Sequence, residues 1–335
     1  MVEVEGSIGS ENDDLMLVDD IPYNGKNLCD MPPEIVAQIF KYCPAKSRMN
    51  LAHCSKNFLA LELTIPFHVV SATIRTFDSK DTVSLHIQLI IEGTGAEDAI
   101  KASYKECPFY TKHPFLFLGY IYAHNYDVLA RNLFQRVVRK TTIPELYINS
   151  DFFLSCEEIQ MVRGCKDLTL EANNEEDMVT CFKKFDTDEF QHLHVVMDDS
   201  EWIRNIHPQI TKAKLLNLTM CVTEEVFMSI TANSIAVTGE NIDEQMLHNF
   251  VKRWANGEGP ENFKCLAITD TDNIDFEKVI DGLDAVDFDE EMEMHNVSSR
   301  SATLCREIME DEILFVVTGS TDDDQLVIKY PETWV

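Results

Sequence analysis

Basic residues are scarce in this sequence: 28 Lys and Arg stand against 58 Asp and Glu in 335 residues, a formal net charge of -30 at pH 7. Nucleic-acid backbones and anionic membranes are held by Lys and Arg that neutralise phosphate, so this deficit argues against either as a partner and favours a basic one. Long apolar runs are also missing. None approaches the roughly 20 residues that cross a bilayer, and the opening MVEVEGSIGSENDD has neither the basic end nor the apolar core of a signal peptide. The expectation is an intracellular protein of the cytoplasm, the nucleus or both.

Paired cysteines are absent as well. The ten cysteines are scattered, with no C-x-x-C, and read as small buried hydrophobes in a reducing compartment. Catalytic signatures do not occur: there is no Walker A loop, no G-x-S-x-G elbow and no H-E-x-x-H helix, and Gly93-x-Gly95 lacks its third glycine. His192 and His194 share a strand face without an identifiable third ligand for a metal. Asp270-x-Asp272 opens like a calcium loop but lacks the glycine and distal glutamate such a loop needs. The acids Asp287, Asp289, Glu290, Glu291 and Glu293 read as exposed surface. The chain is therefore expected to be no enzyme and to use no cofactor or metal.

What the sequence does contain is ordered along its length. Residues 1–25 carry seven acids and no base, a self-repelling leader expected to be disordered. From Pro32 the apolar positions Ile35, Val36, Ile39, Phe40 and Cys43 keep helical spacing. Asp30 is available as a cap, prolines occupy the first turn, and Pro44 stops the helix. A second helix can start at Ser47 and carry Met49, Leu51 and Ala52; a third can carry Phe58, Leu59 and Leu61. Three helices this short bury too little to stand alone, so another domain or another protein must cover one of their faces.

The identities in this stretch say more. Met31-Pro32-x-Glu34-Ile35, Ile39-Phe40, Leu51 and Cys54-Ser55-Lys56, in this order and spacing, resemble the F-box, with Met31 replacing the usual Leu and Ser47 replacing an acidic residue. The resemblance implies binding of a Skp-family adaptor, which joins F-box proteins to a cullin and a RING subunit in SCF-type E3 ubiquitin ligases. The adaptor-binding residues it implies are Met31, Pro32, Ile35, Ile39, Phe40, Leu51, Cys54 and Lys56, with Cys54, Ser55 and Lys56 at the start of the third helix.

Beyond the module, residues 66–142 form a connecting region with an expected hairpin, on the alternation of Val83, Leu85, Ile87 and Leu89, and a helix over DVLARNLFQRVVRK. The basic residues of that helix, Arg131, Arg136, Arg139 and Lys140, read as a solvated face. Over residues 143–291, short strands recur at Leu146-x-Ile148, Leu168-x-Leu170, Leu193-x-Val195, Leu216-x-Leu218, Ile235-x-Val237 and Leu266-x-Ile268, each before a helix-compatible segment. The uneven period is close to that of leucine-rich repeats, whose asparagine position is mostly missing here. An ordinary α/β domain with the same alternation is the other reading. Within this array, Phe250-Val251-Lys252-x-Trp254-x-x-Gly257 followed by the Leu266 strand resembles the F-box-associated type 2 region of nematode F-box proteins. Residues 292–335 read as closing strands and a tail.

The expected fold class is α+β: a small three-helix F-box module (26–65) followed by an irregular leucine-rich-repeat-like α/β array. The expected function is substrate recognition in an SCF-type ligase, with an unknown target held by the array; acidity suggests that a basic segment of the target meets an acidic face. The alternative is an adaptor-independent scaffold or inhibitor that keeps the helices only as a cap.

Overall fold

A computed structural model describes residues 28–317, except 44, 63, 66–67, 80–81, 92–99, 107–114, 118–119, 140, 199, 239–240, 270, 272–273, 284, 290–293, 298–301 and 308–311. The acidic leader, Gly93-x-Gly95, Asp270-x-Asp272, most of the acids around 287–293 and the C-terminal tail therefore lie outside the described residues. Two compact units, 1–43 and 44–335, divide the chain.

In the first unit a 3-10 turn (Leu28–Asp30) precedes helix α1 (Pro33–Tyr42). Pro32, not Asp30, occupies the N-cap position of α1, and no side chain caps it. Pro33 as first residue loses nothing, because the amide it lacks has no intrahelical partner there.

The second unit opens with α2 (Ala45–Cys54) and α3 (Lys56–Glu62). Helix α2 starts two residues earlier than the capping residue Ser47 suggested. Ser55 caps the next helix instead: its Oγ accepts from the backbone N–H of Asn57 (3.1 Å) and Phe58 (3.3 Å). Cys54 consequently ends the second helix, and Lys56 opens the third.

Strands β1 (Val69–Ser79) and β2 (Thr82–Ile91) pair antiparallel, and β3 (Ile100–Glu106) continues from β2. The short β4 (Phe115–Phe117) and β5 (Tyr120–Ala123) precede α4 (Tyr126–Val138). Strand–helix units follow: β6 (Glu145–Asn149) with α5 (Ser150–Ser155), β7 (Asp167–Glu171) with α6 (Glu175–Phe182), and β8 (His192–Val196), β9 (Trp202–Ile203) and α7 (Pro208–Thr211). Next come β10 (Leu215–Thr219), β11 (Cys221–Val222) and α8 (Glu224–Ser229), β12 (Ser234–Thr238) with α9 (Glu244–Ala255), and β13 (Cys265–Thr269) with α10 (Phe276–Ile280). The described chain closes with β14 (Ala285–Asp289), β15 (Met294–Val297), β16 (Ala302–Glu307) and β17 (Glu312–Val317).

Among the described residues 15 strands form one mixed sheet, ordered β14-β15-β16-β17-β13-β12-β10-β8-β7-β6-β1-β2-β3-β5-β4, while β9 and β11 pair separately. The run from β1 through β6, β7, β8, β10 and β12 to β13 is parallel; the neighbours beyond it on either side are mostly antiparallel.

Register explains the core. Leu146, Leu168, Leu193, Leu216, Ile235 and Leu266 are lateral partners in one row; Ile148, Leu170, Val195, Leu218, Val237 and Ile268 form the next. All twelve are buried, in one cluster with the apolar faces of the helices. Because side chains alternate across a strand, the residues between them face the opposite side of the sheet. Four of these helices are capped by the side chain just before them: Asn149, Asn174, Thr223 and Asp243 accept from first-turn amides of α5, α6, α8 and α9, whereas α7 and α10 have no side-chain cap.

Helix α9 ends at Gly257, whose φ of 85° is left-handed backbone that a side chain would strain. Trp254 meets Phe315 of β17 edge-on at 5.1 Å between ring centroids, joining the helix to the antiparallel end of the sheet.

Candidate functional site

Two surfaces merit description: the outward side of the helical module and the open face of the sheet.

On the open face, β1 presents Ser71, Thr73 and Arg75, and the parallel strands present Glu145 and Tyr147, Asp167 and Thr169, His192 and His194, and Leu215 and Asn217. With neighbours from β2, β3 and β12 these residues line a cleft of about 1240 Å³. The Arg75 guanidinium lies 4.6 Å from the centroid of the Tyr147 ring, and the Tyr147 hydroxyl donates to Glu171. Burial, then the hydrogen bond and charge of Glu171, push the Tyr147 pKa up to about 12. His192 Nδ1 is 3.0 Å from Asp167 Oδ1, and His194 Nε2 is 3.3 Å from Thr219 Oγ1. Burial holds the His194 pKa below its ordinary value. Among the described residues no group of three or more His, Cys, Asp or Glu is arranged to hold a metal ion, and no helix is long and apolar enough to cross a membrane.

In the helical module, α1 carries two apolar stripes one residue out of phase. Val36 and Phe40 are buried, Phe40 completely. Ile35, Ile39 and Tyr42 follow the i, i+4, i+7 rule along the neighbouring face; Ile35 is 50% exposed and Tyr42 82%. One stripe is sufficient for a helix that only covers a core. The second leaves apolar surface in water.

On α2, Arg48 and Ala52 point inward, whereas Leu51 is half-buried and Cys54 exposed. On α3, Phe58 and Glu62 are buried and Lys56 and Leu59 exposed.

Residues 28–69 match the F-box domain model. The chain carries an F-box domain, a module that in general binds a Skp-family adaptor and through it a cullin-RING ligase. No curated protein matches the chain, and no solved structure does.

Within this F-box the expected adaptor residues take different positions. Pro32 and Ile35 are exposed and Met31 and Ile39 half-buried; Leu51, Cys54 and Lys56 stand on the outer side of their own helices. Phe40 is enclosed and contributes no surface. Tyr42 and Leu59 are exposed apolar residues that the motif did not single out, although the helical offset from Ile35 and Ile39 already places Tyr42 on their stripe.

The end of the F-box is tied to α4 by charge. Glu62, with 1% of its side chain exposed, pairs with Arg136, and Arg48 Nη2 stands 3.9 Å from the same carboxylate while donating to the Ile65 carbonyl at 2.7 Å. Arg136 is thus half-buried against an acid instead of solvated, because α4 lies where the acid of α3 is enclosed. Arg131 and Arg139 of the same region pair with Asp127 and Glu158. Lys140 lies outside the described residues.

Proposed function

We propose that this chain is the substrate-recognition subunit of an SCF-type E3 ubiquitin ligase: a non-enzymatic intracellular receptor that binds a Skp-family adaptor through its F-box and an unidentified target protein through the strand–helix array. The F-box match at residues 28–69, with the exposed stripe of Ile35, Ile39 and Tyr42, carries this reading. A stripe of this kind is what a helix-binding partner buries. In this reading Pro32, Ile35, Ile39, Leu51, Cys54 and Lys56 meet the adaptor, and the buried Phe40 holds α1 in place.

The array has the organisation of an irregular leucine-rich-repeat-like domain, and the Phe250-to-Gly257 motif supports kinship with the F-box-associated type 2 region of nematode proteins. Parallel strands aligned row on row, each followed by a helix, are the features that favour it.

Co-expression with a Skp-family adaptor tests the function. Wild-type protein is expected to elute as a stable complex, and Pro32→Ala with Ile35→Glu to elute alone while keeping its unfolding temperature. Folded wild-type protein that fails to hold the adaptor overturns the reading in favour of an adaptor-independent scaffold.

A further inference from the structure

We propose that the open face of the sheet, from β3 to β12, binds an extended segment of the target protein about ten residues long, carrying a Lys or Arg near its middle and an acid four to six positions away. The inference rests on the reading of the chain as a target receptor and specifies where and how the target is held.

Among the described residues the helices that follow the parallel strands pack on one face of the sheet. On the other, Lys101, Gln88, Thr73, Tyr147, Thr169, His194, Asn217 and Ala236 are successive lateral partners in one row across eight strands. At about 4.8 Å per strand this row is about 34 Å long, which an extended chain rising about 3.3 Å per residue covers with about ten residues. The cleft, about 1240 Å³, is larger than the usual 300–1,000 Å³ of small-ligand pockets. A polypeptide segment fits that shape.

Charge sets the chemistry of the occupant. Glu145 of β6 and Asp167 of β7 are direct lateral partners, with Glu171 further along β7. The open-face residues of β6, β7 and β8 include no Lys or Arg to balance these three acids. Asp167 has the His192 Nδ1 3.0 Å away. Among the described residues Glu145 has no side-chain partner. The Tyr147 ring already receives one cation on its face, from Arg75. A basic side chain entering over β6 and β7 therefore meets Glu145 and Asp167, beside a ring face already taken by Arg75. At the β3 end, Lys101 is exposed and likewise has no side-chain partner among the described residues. Lys101 lies three to four strands from the acids, about 14–19 Å, or four to six residues of extended chain. On β7 and beyond it on β10 the Thr169 hydroxyl and the Asn217 amide have no side-chain partner among the described residues, which leaves them able to bond a backbone lying over them. The anionic centre excludes a nucleic-acid strand, whose phosphates it would repel.

A displayed library of random twelve-residue peptides, selected on the full-length protein, tests the proposal. Enriched peptides are expected to carry a Lys or Arg with an Asp or Glu four to six positions away. Their affinity should fall about tenfold or more in Glu145→Gln with Asp167→Asn, and that variant should also lose most of the salt dependence. Lys101→Glu should reselect peptides with a base in place of the acid, which guards against a result caused by misfolding of the first variant. Enrichment of acidic or uncharged peptides, no enrichment, or equal binding by both variants overturns the proposal. Adaptor binding by the same proteins is measured in parallel: its loss in the wild type defeats the receptor reading, whereas its retention with a failed selection defeats only the assignment of this face.

Discussion

Glu62, the last residue of α3, is buried against Arg136 of α4, 74 positions later in the chain. A charge this enclosed is tolerable only while its partner remains, since an unpaired ion in a low-dielectric interior costs several kcal/mol. The pair therefore makes the end of the F-box and α4 of the connecting region conditional on each other. Glu62→Ala, which leaves Arg48 and Arg136 facing each other without the carboxylate, should destabilise the protein by about 3–5 kcal/mol in urea unfolding. Glu62→Leu with Arg136→Met should recover much of that loss. Removing the exposed pair Arg131–Asp127 should cost under about 1 kcal/mol. A Glu62→Ala protein as stable as wild type would show that the pair holds nothing.

The two stripes of α1 predict opposite phenotypes for neighbouring residues. Phe40→Ala empties a fully enclosed site and should cost about 3–5 kcal/mol of stability. Ile35→Glu changes a half-exposed side chain and should leave stability within about 0.5 kcal/mol while abolishing co-elution with the adaptor. Thermal unfolding of both variants beside the adaptor assay separates the roles; similar stability losses in the two would erase the distinction between the stripes.

How much of this was legible in the sequence depends on how local each signal was. The six Leu/Ile-x-Leu/Ile/Val triplets lie in β6, β7, β8, β10, β12 and β13 because period-2 burial is written within three residues. Gly257 and Trp254 were legible for the same reason. Long-range pairing was not: nothing near Glu62 announces Arg136, and nothing near β17 announces that it, and not β14, lies beside β13. The start of α2 was misplaced because Ser47 has the chemistry of a cap, yet α2 already begins at Ala45 and the serine that does cap a helix here is Ser55, at α3. Within α1 the apolar residues were legible as a group, but dividing them into Val36 and Phe40 inside and Ile35 and Tyr42 outside needed the burial of each.

The end of α9 gives a prediction about backbone. Gly257 sits at a φ of 85°, and its N–H bonds the Trp254 carbonyl at 2.9 Å. An L side chain there forces left-handed backbone, so Gly257→Ala should destabilise by about 1–2 kcal/mol. Gly259 adds a steric version of the same constraint, since a Cβ on it would come within 3.0 Å of the Trp254 Cα. Gly259→Ala should shift the tryptophan environment, and near-ultraviolet circular dichroism is the measurement. An unchanged signal would mean that the loop gives way without moving Trp254.

Stability should fall with acid in two separate windows. Burial lowers the His194 pKa, so the folded state binds its proton later than the unfolded chain, whose value is about 6.5. The neutral ring is favoured on folding; this contribution is complete above about pH 6.5 and is lost as pH falls from there through the folded value. His86, lowered by burial and then by Lys105, has the same sign. Glu175 behaves as a carboxylate. Burial alone would raise it, but hydrogen bonds from His207, Asn205 and the Arg204 amide outweigh burial and hold it below its usual value. Its contribution is present above about pH 4.5 and lost as pH falls through the lower folded value. In urea unfolding at a series of pH values, His194→Gln should flatten the slope just below pH 6.5, by at most about 1.4 kcal/mol per pH unit for one proton. Glu175→Gln should lower stability at pH 7 and flatten the slope below pH 4.5 without altering the upper window. A His194→Gln profile parallel to wild type between pH 7 and 5 would show that the buried ring does not couple folding to acid.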